Sequence, residues 1–552
     1  MKKLIALLLV LVMTLSLCVG CGGNKNPGQA AGDGEDADGK TTLTIGLSAN
    51  ANILDYENNA LTRWLEEQCD VNLEFTIYAT GSDVATQIST TVAAMQELPD
   101  ILWGIALGDD VYNTYGEDGY FVDLADYYAD KEGASKVFWE RLAENFDEYQ
   151  QTNIISKLTN PDTGAIYCVP TLETSLIDTM DYQMWINTEW LQKVGKTMPT
   201  NTEELYDVLV AFRDGDPNGN GKADEIPLFG AQEGGLGADV VNWLINMFLY
   251  MDDAKNWNVD ENGKLYAPFT TDKYREALIY VRNLVKEGLL NPMAWTSKSG
   301  ELKGINTPID GTALCGIFAG HLTLHANMNS ELLYQYEPIP CFGGAVIKDD
   351  TFSRNTYITE YCENPDKAFE LLMTMWTKEG SQRIRYGEYG VNWTDADEGA
   401  VSELGIEADI KILQDPFAQQ NTAMWGKVGS TLNVNAEGES NQTATERSEW
   451  ENHRSELAAA QRKYYEEAAA KYNPEKLCPS LNYNDDATYD MRTALADYYK
   501  RSRTDFCNVG TALDPNKDAD WEKYLKTLND MGLQQWLDLA QSRYDQLMET
   551  QG

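Results

Sequence analysis

Apolar and polar positions repeat along the chain in two alternating periods. The stretch TLTIGLS, residues 42–48, puts Leu43, Ile45 and Leu47 on every second position and predicts a strand. NNALTRWLEEQC then changes to helical spacing, and VNLEFTIYA returns to a strand. A helix follows over Asp83 to Gln96, and LPDILWG closes the series as a third strand. Strand, helix, strand, helix, strand implies a parallel sheet covered by helices, so the class is α/β. Further along, Thr200 and Glu203 have the spacing of a capping box before ELYDVLVAF. Asn364, Pro365 and Gly380 predict the cap, first turn and stop of another helix. The last third, including LAAAQRKYYEEAAAKY, reads as mostly helical.

Length and charge narrow the picture. A chain of 552 residues allows two to four domains, and 43% hydrophobic residues imply a packed body. The net charge is −44, which repels phosphate backbones and anionic headgroups, so nucleic acid is excluded as a partner. Seven cysteines in the body (Cys69, Cys168, Cys315, Cys341, Cys362, Cys478 and Cys507) form no CxxC pair, which indicates small buried apolar residues rather than zinc or a disulfide scaffold.

The N-terminus carries an address. Lys2 and Lys3 precede an apolar run from Leu4 to Leu17, the pattern of a secretory signal over residues 1–20. Val19-Gly20-Cys21 before Gly22-Gly23 resembles a bacterial lipoprotein cleavage site, which would make Cys21 the lipid-carrying first residue. An acyl anchor buries methylenes at about 0.8 kcal/mol each. Residues 21–40 lack large apolar side chains and read as a flexible linker. Within and just past them GEDADGKT, 34–41, copies the phosphate-loop pattern. Its three acidic residues and the strand that follows contradict nucleotide binding. The chain is expected outside a bacterial cytoplasmic membrane, tethered to its outer face.

DGDPNGNGKADEIP, residues 214–227, carries the clearest motif. Counting from Asp216, oxygen donors fall at positions 1, 3, 5 and 9, which are Asp216, Asn218, Asn220 and Asp224. Lys222 can offer its carbonyl at position 7, and Gly221 sits at position 6, where a calcium loop turns. Pro227 occupies position 12, so Glu225 is the expected replacement for the usual glutamate. A Ca2+ loop over 216–225 is preferred to an ordinary Asp/Asn/Gly turn. His321 and His325 in GHLTLH have the spacing of a helical metal pair, but no third ligand accompanies them, and packing roles are preferred.

The order of this loop after MWINTEWLQKVGKTMPTNTEEL resembles the extracellular solute-binding proteins of ABC transporters. The resemblance is to the carbohydrate-binding group that includes lipoproteins and alginate-oligosaccharide binders. LPDILWG, AIYCVPTLE, ITEYCENPDKAFELLMTMWTKEG, YGEYGVNW and the terminal WEKYLKTLNDMGLQQWLDLAQSRYDQL agree in order, over most of residues 41–550. It implies two α/β lobes hinged around a ligand, a structural calcium and a monomer that delivers its cargo to permease subunits. Carried over, the boundaries place one lobe at 41–173 with 315–354 and the other at 178–311 with 358–552. Crossings then fall near Leu172–Ile177, Ala313–Gly316 and Thr356–Thr359.

Sugars stack on aromatic rings, and 14 Trp and 30 Tyr supply an ample stock. Trp103 follows a parallel strand, beyond whose carboxyl end ligands sit. Trp393 ends the family's cleft segment, and Trp243 faces the same region by analogy. Tyr389, Asp100, Glu388, Asn392 and Trp425 complete the candidates. The expected function is capture of an oligosaccharide without chemistry. A peptide-binding transporter component and a surface-anchored glycoside hydrolase, with carboxylates roughly 5 to 9.5 Å apart, are the alternatives.

Overall fold

The structure, a computed structural model, describes residues 39–79, 83–173, 184–231, 237–252, 255–340, 342–343, 351–402, 407–414, 419–426, 429–433, 441–442, 449–472, 474–479, 481 and 486–551. The signal segment, Cys21 and nearly all of the linker lie outside them. No helix among the described residues is long and apolar enough to cross a membrane.

The chain builds two large cores and visits each twice. Its first pass contains β1 (Thr41–Ser48), α1 (Ala60–Cys69), β2 (Val71–Tyr78), α2 (Asp83–Ala93), β3 (Ile101–Leu102), α3 (Glu148–Leu158) and β4 (Thr171–Glu173). β1 runs parallel to β2 and β3, with Ile45 opposite both Phe75 and Ile101, as the alternating periods predict. Leu43, Ile45 and Leu47 are buried. Asn59 caps α1 by accepting from the Leu61 N–H, and Asp70 ends it at φ 52°, a left-handed position that Asp tolerates.

The second pass holds β5 (Met184–Asn187), α4 (Thr202–Asp214), β6 (Ile226–Phe229), α5 (Val240–Asn246), α6 (Asp272–Lys286), β7 (Cys315–Ala319) and β8 (Tyr336–Pro338). Its strands form a sheet in the order β8-β5-β7-β6, with β7 parallel to β6 and antiparallel to β5. The cap of α4 differs by one residue from the expected box. Asn201 accepts from the Glu204 N–H at 2.9 Å, and Thr200 donates to the Glu204 carboxylate. An amide oxygen reaches the third helical N–H as a hydroxyl does, so the Asn took the place expected for Thr.

The third pass returns to the first core through β9 (Thr351–Ser353), β10 (Tyr357–Ile358), α7 (Pro365–Met375), α8 (Lys378–Tyr386), β11 (Trp393–Asp395), β12 (Ile410–Ile412) and β13 (Leu432–Asn433). Asn364 caps α7 with Pro365 in its first turn, as expected. Gly380 does not stop it. Thr377 starts α8, and Gly380 lies in its first turn, where a Cβ would come within 2.4 Å of the Thr374 carbonyl. The fourth pass is the helical α9 (Glu449–Lys471), α10 (Asp486–Cys507), α11 (Asp518–Asp530) and α12 (Leu533–Gln551). Cys478, Tyr499, Phe506, Trp521, Tyr524 and Trp536 complete the second core.

The expected lobe boundaries differ from this partition in two segments. Residues 315–338, assigned above to the first lobe, pair as β7 and β8 inside the second sheet. Residues 358–432, assigned to the second, pack through Ile358, Phe369, Trp376 and Leu432 in the first core. Strand pairing decides this: β10 adds to the edge of β3, and no such partner exists for it in the other sheet. The chain therefore crosses between 173 and 184, between 340 and 351, and between 433 and 449.

A small sheet, β9-β4-β13, joins the strands at which those crossings begin or end. Gly429, just before β13, has φ 111°, and a Cβ there would meet Trp103 Nε1 at 1.9 Å. Gly429→Ala is expected to cost roughly 1–3 kcal/mol, from the strained backbone and the clash; chemical denaturation against the parent chain measures it.

Candidate functional site

Beyond the C-terminal end of β3, the small sheet frames a cavity of about 160 Å3. Successive strand residues alternate faces. Thr171 and Glu173 of β4, and Thr431 and Asn433, line the cavity, while Leu172 and Leu432 between them are fully buried. Asn355, just past β9, presents its side-chain oxygen to Thr171 Oγ1 at 3.1 Å. Gly104, which follows β3, donates its N–H to Thr356 Oγ1 at 3.2 Å. Arg385 comes from the last turn of α8 and pairs with Glu173 Oε1 at 3.0 Å. The Asn433 amide donates to the same oxygen at 2.9 Å. The result is a polar floor with one cation, one anion and several hydroxyl and amide groups, which suits recognition of hydroxyls.

A second, more open cavity of about 400 Å3 lies on the other side of α8, lined by Lys378, Gln382, Tyr389, Trp393 and Asp409 among others. A third, about 810 Å3, opens between α3 and α12. Asp162 and Arg543 close a two-pronged ion pair beside it, at 3.0 and 3.1 Å. None of the sequence candidates lines that third cavity. The first is the one that sits where the crossing strands meet.

The aromatic candidates fare unevenly. Trp103 and Trp425 are 0% exposed, Trp243 and Trp393 3%. Trp425 packs edge-on against Trp103 and Phe75, and donates its N–H to Thr62. Trp393 donates to the Gly387 carbonyl, and Trp243 lies in the second core beside Phe342. All four rings are buried in this structure, with Trp393 at the wall of the second cavity. Tyr389 is the aromatic candidate left exposed, at 42%, with its edge toward Trp393 and its hydroxyl donating to Asp395 at 2.9 Å.

The polar candidates are also occupied. Asp100 accepts from the Thr44 N–H and hydroxyl at 2.7 and 2.6 Å, clamping β3 to β1. Asn392 accepts from the Glu388 N–H at 3.0 Å and is buried, and the Glu388 side chain is half-buried nearby. His321 and His325 tie a turn rather than a helix: His325 Nδ1 accepts from the His321 N–H at 2.8 Å. Burial holds both imidazoles below their usual range. Glu173, Arg385, Asn433 and Asn355 were missed. The one available signal was position, since AIYCVPTLE and YGEYGVNW flank two of them.

In the loop, Gly219 and Gly221 adopt φ 74° and 71°, and Asp216 φ 45°, so the chain turns where the motif requires. Asn220 and Asn218 donate to Asp224, holding its carboxyl below the usual range, and Gly221 donates its N–H to Asp216. Glu225 Oε1 is buried and has no hydrogen-bond partner. Burial, with Asp216 and Asp224 beside it, pushes the Glu225 carboxyl above its usual range. A buried carboxylate oxygen facing two others fits a cation, although no three acidic or imidazole side chains among the described residues already converge as a metal cage. Six of the body cysteines are buried and outside any disulfide, as expected, and Cys341 lies outside the described residues.

Two cores strung on crossing strands define the class, and the solved structures agree: the chain has the two-domain fold of the solute-binding proteins. An HMO-binding ABC-transporter-associated solute-binding protein from Bifidobacterium longum infantis matches with TM-score 0.72 and 20% identity, over 92% of this chain and 99% of that one. Among curated relatives, the fructooligosaccharide ABC transporter substrate-binding protein FusA of Streptococcus pneumoniae is 25% identical over 513 residues, 89% of this chain and 88% of FusA. An EF-hand mutant of FusA, solved in complex with fructo-nystose, matches with TM-score 0.65 and 20% identity over 92% of this chain and all of that one. The lipoprotein LipO of Bacillus subtilis is 40% identical over 108 residues, 20% of this chain and 21% of LipO. No family model matches the chain.

Trp425→Ala is expected to lower unfolding free energy by about 3–5 kcal/mol, the cost of a large buried cavity. Asp100→Ala is expected to cost about 1–3 kcal/mol, by leaving the Thr44 donors unpaired. Urea unfolding curves check both; a change in ligand affinity at unchanged stability would contradict the core assignment.

Proposed function

We propose that this chain is the extracellular solute-binding component of an ABC importer, capturing an oligosaccharide between its two lobes for delivery to permease subunits. The observation that carries this is the similarity to FusA, a fructooligosaccharide ABC transporter substrate-binding protein, over 89% of this chain, together with a polar cavity where the crossing strands meet. The reading includes no catalytic step. It places a single chain outside a bacterial membrane, held by lipid on Cys21 and a linker to residue 40; the match to the lipoprotein LipO supports that anchor.

It also includes a structural Ca2+ on Asp216, Asn218, Asn220, Asp224, Glu225 and the Lys222 carbonyl. Support comes from the unpartnered Glu225 oxygen and from the relative FusA, whose solved mutant is named for its EF-hand. The ion would supply charge neutralisation for three neighbouring carboxylates and no chemistry at the sugar.

Two measurements test these points. Thermal unfolding against a panel of oligosaccharides and short peptides should show an upward shift with a sugar class, about 2.7 kcal/mol of stabilisation at a hundredfold excess over Kd. A shift with peptides alone, or release of reducing sugar, would sink the proposal. For the loop, a raised Glu225 pKa means that the metal-free fold binds an extra proton. Its stability therefore declines as pH rises from the ordinary glutamate range through the raised value. Added calcium should raise Tm most above that window and little below it, and Glu225→Gln should shrink the calcium-induced rise.

A further inference from the structure

Resting on the oligosaccharide reading, we propose that the polar cavity framed by the small sheet, on the first half of the molecule, selects neutral oligosaccharides and rejects uronate-containing ones, and that the Glu173–Arg385 pair sets this choice. Arg385 is the one cation among the described residues lining that cavity, and its guanidinium lies 3.0 Å from Glu173. Asn433 donates to the same carboxylate, so the floor is polar and locally neutral. Both charged side chains are mostly buried, at 16% and 20% exposure, where screening by water is weak.

A sugar hydroxyl entering this floor meets groups that both donate and accept, such as Thr171, Thr431 and Asn355. A uronate carboxylate brings a second negative charge beside Glu173, and the single positive charge of Arg385 is already balanced by Glu173, so it cannot neutralise both. Desolvation of an anion without a new counter-charge is costly, and like-charge juxtaposition is how binding sites refuse wrong ligands. The surrounding surface acts in the same direction, with a net charge of −44 over the chain.

The test is calorimetric titration of the mature chain with calcium present. The neutral probes are kestose and neutral tri- and tetrasaccharides; the acidic probes are trigalacturonate and an alginate trisaccharide. A neutral sugar is expected to bind, and the uronates to bind at least about a hundredfold more weakly. Glu173→Gln keeps an acceptor for Arg385 and Asn433 but removes the negative charge. It should raise uronate affinity about tenfold or more relative to the neutral sugar, and the gain should fall as salt is added. Parent-chain uronate binding as tight as neutral binding overturns the proposal. So does a Glu173→Gln variant, folded by its Tm, that leaves the ratio of the two affinities unchanged. Binding of peptides with no sugar of either kind overturns the oligosaccharide reading itself, and this proposal with it.

Discussion

Three short strands pair where this chain passes from one core to the other. β4 ends the first pass of the chain, and β9 and β13 open and close the third, so each lies next to a crossing between the two cores. Their hydrogen bonds fix where the chain leaves the first half and where it returns. Because strand side chains alternate, the same three strands also present polar residues on one face and buried leucines on the other. The architecture and the candidate site thus share one origin. The position of Glu173 cannot be separated from the route of the backbone.

Around that sheet, charge is handled by pairing rather than by exposure. Glu173 is met by Arg385 and Asn433, Asp100 by the donors of Thr44, and Asp162 by Arg543. The loop at 216–225 is the exception, since Glu225 keeps a buried oxygen without a partner. A protein so acidic can bury carboxylates only where a donor or a cation answers them. That makes this buried carboxylate oxygen, the one without a hydrogen-bond partner among the described residues, more informative than the many exposed acids.

The parallel sheet of the first half was legible because β1 and β2 carry their own period, undisturbed by tertiary demands, and Asn59 and Asn364 announce helices in the usual way. The loop was legible because its spacing is chemical and local. The lobe boundaries were not, since nothing in CGIFA or YI says which sheet edge will receive it; β7 and β10 are placed by pairing with residues more than fifty positions away. The tryptophans could not be assigned from sequence for a related reason. A large ring serves a core and a sugar platform equally well, and only its neighbours decide: Phe75 and Trp103 enclose Trp425, whereas nothing encloses the Tyr389 ring. Glu173, Arg385 and Asn433 are ordinary polar residues until the fold brings them within hydrogen-bond distance.

The interleaving of passes has a consequence for the order in which the molecule can be made. The first core waits for Leu432 before it is complete, and the second, begun at Met184, waits for Trp536 and Ala540. Chains whose domains are contiguous can fold one domain behind the other as they are produced. Here neither half has that option. For much of its synthesis the chain must carry unburied Leu, Ile and aromatic surface from both halves at once, and the second half is finished only when α12 has been made.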